Sequence, residues 1–115
     1  MDVQASPRKI SDRPLADRVA IITGSTSGIG LGIARSLSAA GAHIVLNGLG
    51  DEDVIEATRL ELENSATGMV VYNDANLMNA TGASALVADT IAEFGKVDIL
   101  VNNAGIQHVS PIEDF

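Results

Sequence analysis

Residues 19–32, VAIITGSTSGIGLG, constrain this chain more than any other stretch. The apolar run Val19-Ala20-Ile21-Ile22 reads as a strand buried on both faces of a parallel sheet. It breaks at Thr23-Gly24, passes through Ser25-Thr26-Ser27, and re-enters regular structure at Gly28-Ile29-Gly30, where a helical pattern begins. Strand, glycine-rich turn and helix together form the arrangement that holds a pyrophosphate. The glycines let backbone N–H groups come close to the phosphates, and the helix N-terminus adds about half a positive elementary charge. Taken alone, a glycine pattern predicts only a turn. Its place between a strand and a helix is what points to phosphate.

The remainder of the chain repeats the same alternation. Ile29, Ile33, Leu37 and Ala40 recur at helical spacing, and Gly41 stands where a left-handed helix cap is expected. HIVLN, 43–47, is a second strand, which completes a βαβ unit with a right-handed crossover. Asn47-Gly48-Leu49-Gly50 is a loop, and Asp51 or Asp53 caps a helix marked by Val54, Ile55, Leu60 and Leu62. GMVVY, 68–72, is the third strand. Ala83, Leu86, Val87, Thr90, Ile91 and Phe94 form a helical stripe that Gly95 closes. DILV, 98–101, is the fourth strand, and Asn102-Asn103-Ala104-Gly105 is its turn; Pro111 suits a further helix start. The pattern predicts an α/β fold: the N-terminal half of a Rossmann-type, doubly wound parallel sheet, incomplete, with strand order 3-2-1-4. Ligands are then expected outside the carboxyl ends of strands one and four, where 24–30 and 102–107 meet.

Composition narrows the function classes. The 115 residues suffice for one modest domain, and with three aromatic residues the core must be built from Ile, Leu, Val and Ala. There is no cysteine, which removes disulfides, thiolate metal sites and a cysteine nucleophile, and fits a reducing cytoplasm. Net charge is −8, and from Val19 onward three basic residues face twelve acidic ones. Such a body does not suit nucleic acid. No apolar run reaches the roughly 20 residues of a membrane span, so no membrane partner is expected. Residues 1–17, with Pro7 and Pro14 and no period, read as a mobile extension before a dinucleotide-binding domain at 18–115. Its basic residues read as a solvated tail.

The spacing of TGSTSGIG resembles the TGxxxGIG signature of the short-chain dehydrogenase/reductase family, and the second family marker, NNAG, stands at 102–105. Both fall where the fold needs them, and the resemblance runs from about Leu15 to Phe115. It implies a nicotinamide dinucleotide bound by Gly24, Ser25, Thr26, Ser27, Gly28, Ile29 and Gly30, with Asn103, Ala104 and Gly105 bordering its ribose. It implies that Asn102 ties strand four to its neighbour. Asn76 and Leu77 take the adenine position, where many members carry Asp; the Asn amide oxygen still accepts a hydrogen bond but without charge assistance. Asp74 substitutes only if that turn is shifted. Leu49 is expected against the adenosine. Neither an acid for a ribose hydroxyl nor an Arg for a 2′-phosphate stands at 47–50, and no Arg or Lys occurs between Arg35 and Arg59. A 2′-phosphate would meet Asp51 and Glu52, so the cofactor expected is NAD.

More narrowly, GSTSGIGLGIA, IVLNGLGD and NNAGIQHVSPIEDF are similar to bacterial D-3-hydroxybutyrate dehydrogenases. That resemblance implies oxidation of 3-hydroxybutyrate by NAD to acetoacetate, a homotetrameric complete enzyme, and a substrate carboxylate held by Gln107. His108 reads as an ordinary loop histidine, and Glu113 and Asp114 as the acidic first turn of a helix. The same signatures also fit a 3-oxoacyl-carrier-protein reductase or a sugar-alcohol dehydrogenase. Alcohol oxidation needs a base, which the family supplies as a Tyr with a Lys four residues later. The only tyrosine here is Tyr72, and four residues later stands Asn76. No catalytic Ser, Tyr or Lys of the family pattern is found. The chain is therefore expected to be the cofactor-binding front half of such an enzyme, with a catalytically inert dinucleotide-binding remnant as the alternative.

Overall fold

The computed structural model describes residues 13–103. Seven elements alternate strictly: β1 (Val19–Ile22), α1 (Gly28–Ala39), β2 (His43–Asn47), α2 (Glu52–Ser65), β3 (Val70–Asn73), α3 (Ala80–Phe94) and β4 (Ile99–Val101). The strands form one sheet in the order β3-β2-β1-β4. Every pairing is parallel, with Ile22 opposite both Leu46 and Val101.

Side-chain alternation along the strands divides the core into two layers. Ala20, Ile22, Ile44, Leu46 and Val70 face α1 and α2, which contribute Ala34 and Leu62. Ile21 and Val45 face the opposite way, toward Leu86 of α3. The apolar runs of β1 and β2 are thus explained: both faces of each strand are covered.

The helix pattern of α1 differs from the expected one. The buried positions are Gly30, Ala34 and Ser38, with Ile33 and Leu37 packed beside them, while Ile29 is 68% exposed. Small residues line the contact because the helix lies close to the strand turn: a Cβ on Gly30 would run into the Gly24 carbonyl oxygen. In α2 the expected stripe is likewise split. Ile55 and Leu62 are buried, whereas Val54 and Leu60 face outward. Strand β3 begins two residues later than expected and includes Asn73, and β4 begins at Ile99.

Helix ends follow local chemistry. Asp51 accepts from the N–H groups of Asp53 and Val54 at 2.8 and 3.3 Å, capping α2. Gly41 and Gly95 both take positive φ after their helices, as expected. Arg59 then clamps α2 to the sheet: it reaches both oxygens of Glu56, one of Glu63, and the Val70 carbonyl at 2.9 Å. Those carboxylates raise the pKa of the guanidinium further above its ordinary value.

Two features adjust the expected domain boundary and strand four. Leu15 packs on the α1/α2 side of the core and its N–H donates to Ala40 at 2.9 Å, so the docked chain starts before Arg18. Asp98 precedes β4 yet brackets β1: its carboxylate accepts from the Val19 N–H at 2.8 Å, while its own N–H donates to the Val19 carbonyl.

Candidate functional site

At the carboxyl end of the sheet, the turns after β1, β2 and β4 come together. Residues 23–27 form the first of them. The Thr23 N–H donates to Val101 at 3.0 Å, and its hydroxyl lies 3.3 Å from the same carbonyl and 3.4 Å from Asn102 Oδ1. Asn102 thus ties β4 to its neighbour. Gly24 turns the chain with φ +61°. Ser25 is fully buried; its hydroxyl donates to Ile22 at 2.6 Å and accepts from the Asn47 N–H at 3.0 Å. The expected phosphate ligand Ser25 therefore has its side chain turned inward, as a brace between β1 and β2.

Gly28 opens α1 with φ +61° and nothing within 4 Å of where a Cβ would stand. Ser27 caps the helix with no side-chain bond to its N–H groups, and no acidic residue occupies the first turn. Ser27, Gly28 and Ile29 are exposed. The start of α1 is thus an open set of backbone donors at the positive end of a helix dipole, unopposed by any carboxylate in the first turn. A pyrophosphate fits such a site. Gly30 lies behind it and serves the close approach of helix to turn.

Asn103 is fully buried, and its amide donates to the Gly24 carbonyl at 3.0 Å. Its Oδ1 is buried with no partner among the described residues. Its amide nitrogen holds β4 against the glycine turn. Ala104, Gly105 and Gln107 lie outside the described residues, as do His108, Glu113 and Asp114.

The loop after β2 forms the other wall. Leu49 is 90% exposed, as an apolar contact for a ligand requires. Beneath the loop, the buried Asn47 amide donates to Asn73 at 2.9 Å and to Ala75 at 3.1 Å, joining β2 to the turn that carries Asn76 and Leu77. Asn76 is exposed, and its Oδ1 accepts from the Met78 N–H at 2.9 Å, so one lone pair of the expected adenine acceptor is already used. The Thr26 hydroxyl donates to Leu49 at 2.9 Å, and the Tyr72 hydroxyl donates to the Gly48 carbonyl. Burial, then the charges of Asp74 and Glu52, push the Tyr72 phenol pKa up. A cleft of about 560 Å³ beside this loop is lined by Tyr72 and by Glu52, Asp53, Glu56 and Asp74. The nearby cations are committed elsewhere: Arg35 pairs with Glu61 at 3.1 Å, and Arg59 with Glu56 and Glu63.

Asn47, Thr26 as a loop anchor, and Tyr72 as a hydrogen-bond donor were not legible as site residues. One signal existed, a lone Asn closing an otherwise apolar strand.

A model of the short chain dehydrogenase family matches residues 18–115. The chain belongs to the short-chain dehydrogenase family. It is 48% identical over 102 residues to a D-beta-hydroxybutyrate dehydrogenase of Cupriavidus necator, covering 88% of this chain and 38% of that relative. A D-beta-hydroxybutyrate dehydrogenase of Rhizobium meliloti is also 48% identical, over 98 residues, with 85% and 38% covered. Among solved structures, a short-chain dehydrogenase/reductase from Sinorhizobium meliloti superposes with a TM-score of 0.72 at 39% identity, over 85% of this chain and 45% of that one. The L-sorbose reductase of Gluconobacter frateurii, complexed with NADPH and L-sorbose, gives 0.74 at 34% identity, over 89% and 41%. The short-chain dehydrogenase chain described here spans about two fifths of the length of these hydroxybutyrate dehydrogenases. Its sheet order and glycine turn are those of a family that acts by oxidation and reduction.

Proposed function

We propose that this chain is the NAD-binding portion of an oxidoreductase acting on 3-hydroxybutyrate. The observation that carries the cofactor reading is the uncapped, carboxylate-free start of α1 behind Gly28. The open backbone at Ser27, Gly28 and Ile29 binds the pyrophosphate, Leu49 packs on the adenosine, and Asn76 accepts from the adenine. When bound, NAD supplies the hydride acceptor for the carbinol carbon. NAD is preferred to NADP because carboxylates line the cleft beside the β2 loop and the neighbouring arginines are already paired. The hydroxybutyrate reading rests on the two 48%-identical relatives. Gln107 holds the substrate carboxylate.

Tyr72 does not supply the base. It lies on β3, at the far edge of the sheet from β4, with its hydroxyl committed to Gly48 and its pKa raised rather than lowered. The residues of this chain bind the dinucleotide and leave proton transfer to residues of the complete enzyme. That placement also favours a second reading, a dinucleotide-binding module without turnover.

Titration of the purified chain with NADH, followed by cofactor fluorescence, is expected to show saturable enhancement. No binding at millimolar NADH overturns the cofactor reading. Oxidation of 3-hydroxybutyrate by a complete enzyme carrying this sequence, at rates above those for sugar alcohols, supports the substrate; the reverse order overturns it.

A further inference from the structure

We propose that Tyr72 and Thr26 are positioning residues that fix the loop at 48–50 as the wall discriminating NAD from NADP. The proposal rests on the cofactor reading above and adds what holds that wall in place. The loop has little anchorage of its own. Gly48 and Gly50 bring no side chain, and Leu49 is almost fully exposed. Its two leading carbonyls are held from opposite sides. The Thr26 hydroxyl, on the phosphate turn, donates to Leu49 at 2.9 Å. The Tyr72 hydroxyl, on β3, donates to Gly48.

The fit around Thr26 is close. A Cβ at Gly48 would lie 2.7 Å from its hydroxyl and 3.1 Å from its methyl, so the glycine is what allows the loop to seat there. Downstream, the loop runs directly into the Asp51 cap of α2. The loop is thereby tied to the pyrophosphate turn, to β3 and to α2 together.

Tyr72 is suited to this task. Its phenol is partly buried, and burial, then the charges of Asp74 and Glu52, push its pKa up, so the hydroxyl stays a donor well above neutral pH. The same carboxylates line the cleft beside the loop, where they would repel a 2′-phosphate. With the loop latched, the added phosphate meets carboxylates and, among the described residues, arginines that are already paired, with no room gained by loop movement. With either latch released, the loop can move outward, and the penalty on the phosphate falls. Loss of a latch therefore weakens NADH more than NADPH.

The test is fluorescence titration of NADH and NADPH into the wild-type chain, Tyr72→Phe, Thr26→Val and Thr26→Ser, with thermal melts alongside. Tyr72→Phe and Thr26→Val should each weaken NADH about 3- to 10-fold, the worth of one hydrogen bond. NADPH affinity should hold or improve, so that the preference narrows. Thr26→Ser retains the hydroxyl and should restore the wild-type preference for NADH over NADPH. Thr26, half-buried on the phosphate turn, keeps the test decisive if Tyr72→Phe melts early. Unchanged NADH affinity in Thr26→Val overturns the latch, as does an equal loss for both cofactors. A wild-type chain that binds neither cofactor overturns the cofactor reading and the latch with it, and is distinguishable from failure of the latch alone.

Discussion

Gly28 is the residue on which phosphate access turns. Its positive φ costs an L-residue about 1–2 kcal/mol, and the space at its Cβ is open. Gly28→Val is therefore expected to lower stability by about that amount and to abolish NADH binding, because the branched side chain fills the approach to the helix start. Fluorescence titration checks this; unchanged affinity would place the pyrophosphate elsewhere. Asp98 acts on stability instead. The Val19 N–H, then the Lys96 and Arg18 cations, hold its carboxyl below the ordinary value of 3.8. A group with a lowered folded pKa stabilises fully above its unfolded value and loses that contribution as pH falls through the folded one. Asp98→Asn should thus melt earlier than wild type at neutral pH, and the gap should close below pH 3.8. At this scale the sequence was only partly legible. Ser27 and Gly28 are exposed at the turn, while the Gly24 carbonyl is held by Asn103. Ser25 and Asn103 are spent on hydrogen bonds to residues 22 and 79 positions away, and no local pattern announces such partners.

The elements were far more legible, because their signals are local. Asp51 precedes a helix and caps it, and VAII and HIVLN are strands with both faces covered. Asp51→Ala should cost about 1 kcal/mol, typical for loss of an N-cap, read as an earlier thermal transition. Since Asp51 also ends the β2 loop, its effect on NADH affinity should exceed that of a neutral change elsewhere on α2. Where element-level reading missed, tertiary packing had decided. In α1 the expected stripe led with Ile29, but a close helix-to-turn approach favours Gly30, Ala34 and Ser38. Apolar periodicity finds the helix; the size of the gap decides which face enters it.

For the whole molecule, a ligand seated across three turns is coupled to the entire fold. Binding only to the folded state stabilises it by about 2.7 kcal/mol at a hundredfold excess over Kd. In a domain of this size that corresponds to a rise in Tm of about 10–20 °C. Such a shift is expected with NADH, a smaller one with NADPH, and none for Gly28→Val with either. Strand order was readable at this scale because alternating β and α elements have few allowed topologies. The tie from Asp98 back to Val19 was not, since it joins residues 79 positions apart.

That long reach sets an order of events in time. The Ser25 amide bonds to Asn47 and the Thr23 amide to Val101, across separations of 22 and 78 residues. Closing the longer loop carries the greater entropic cost, growing as the logarithm of its length. The phosphate turn comes early in the chain yet receives its final brace only when the last described strand docks. Pulsed hydrogen exchange during refolding should show the Ser25 amide protected before the Thr23 amide, two residues away. Simultaneous protection would mean that the sheet closes in a single step.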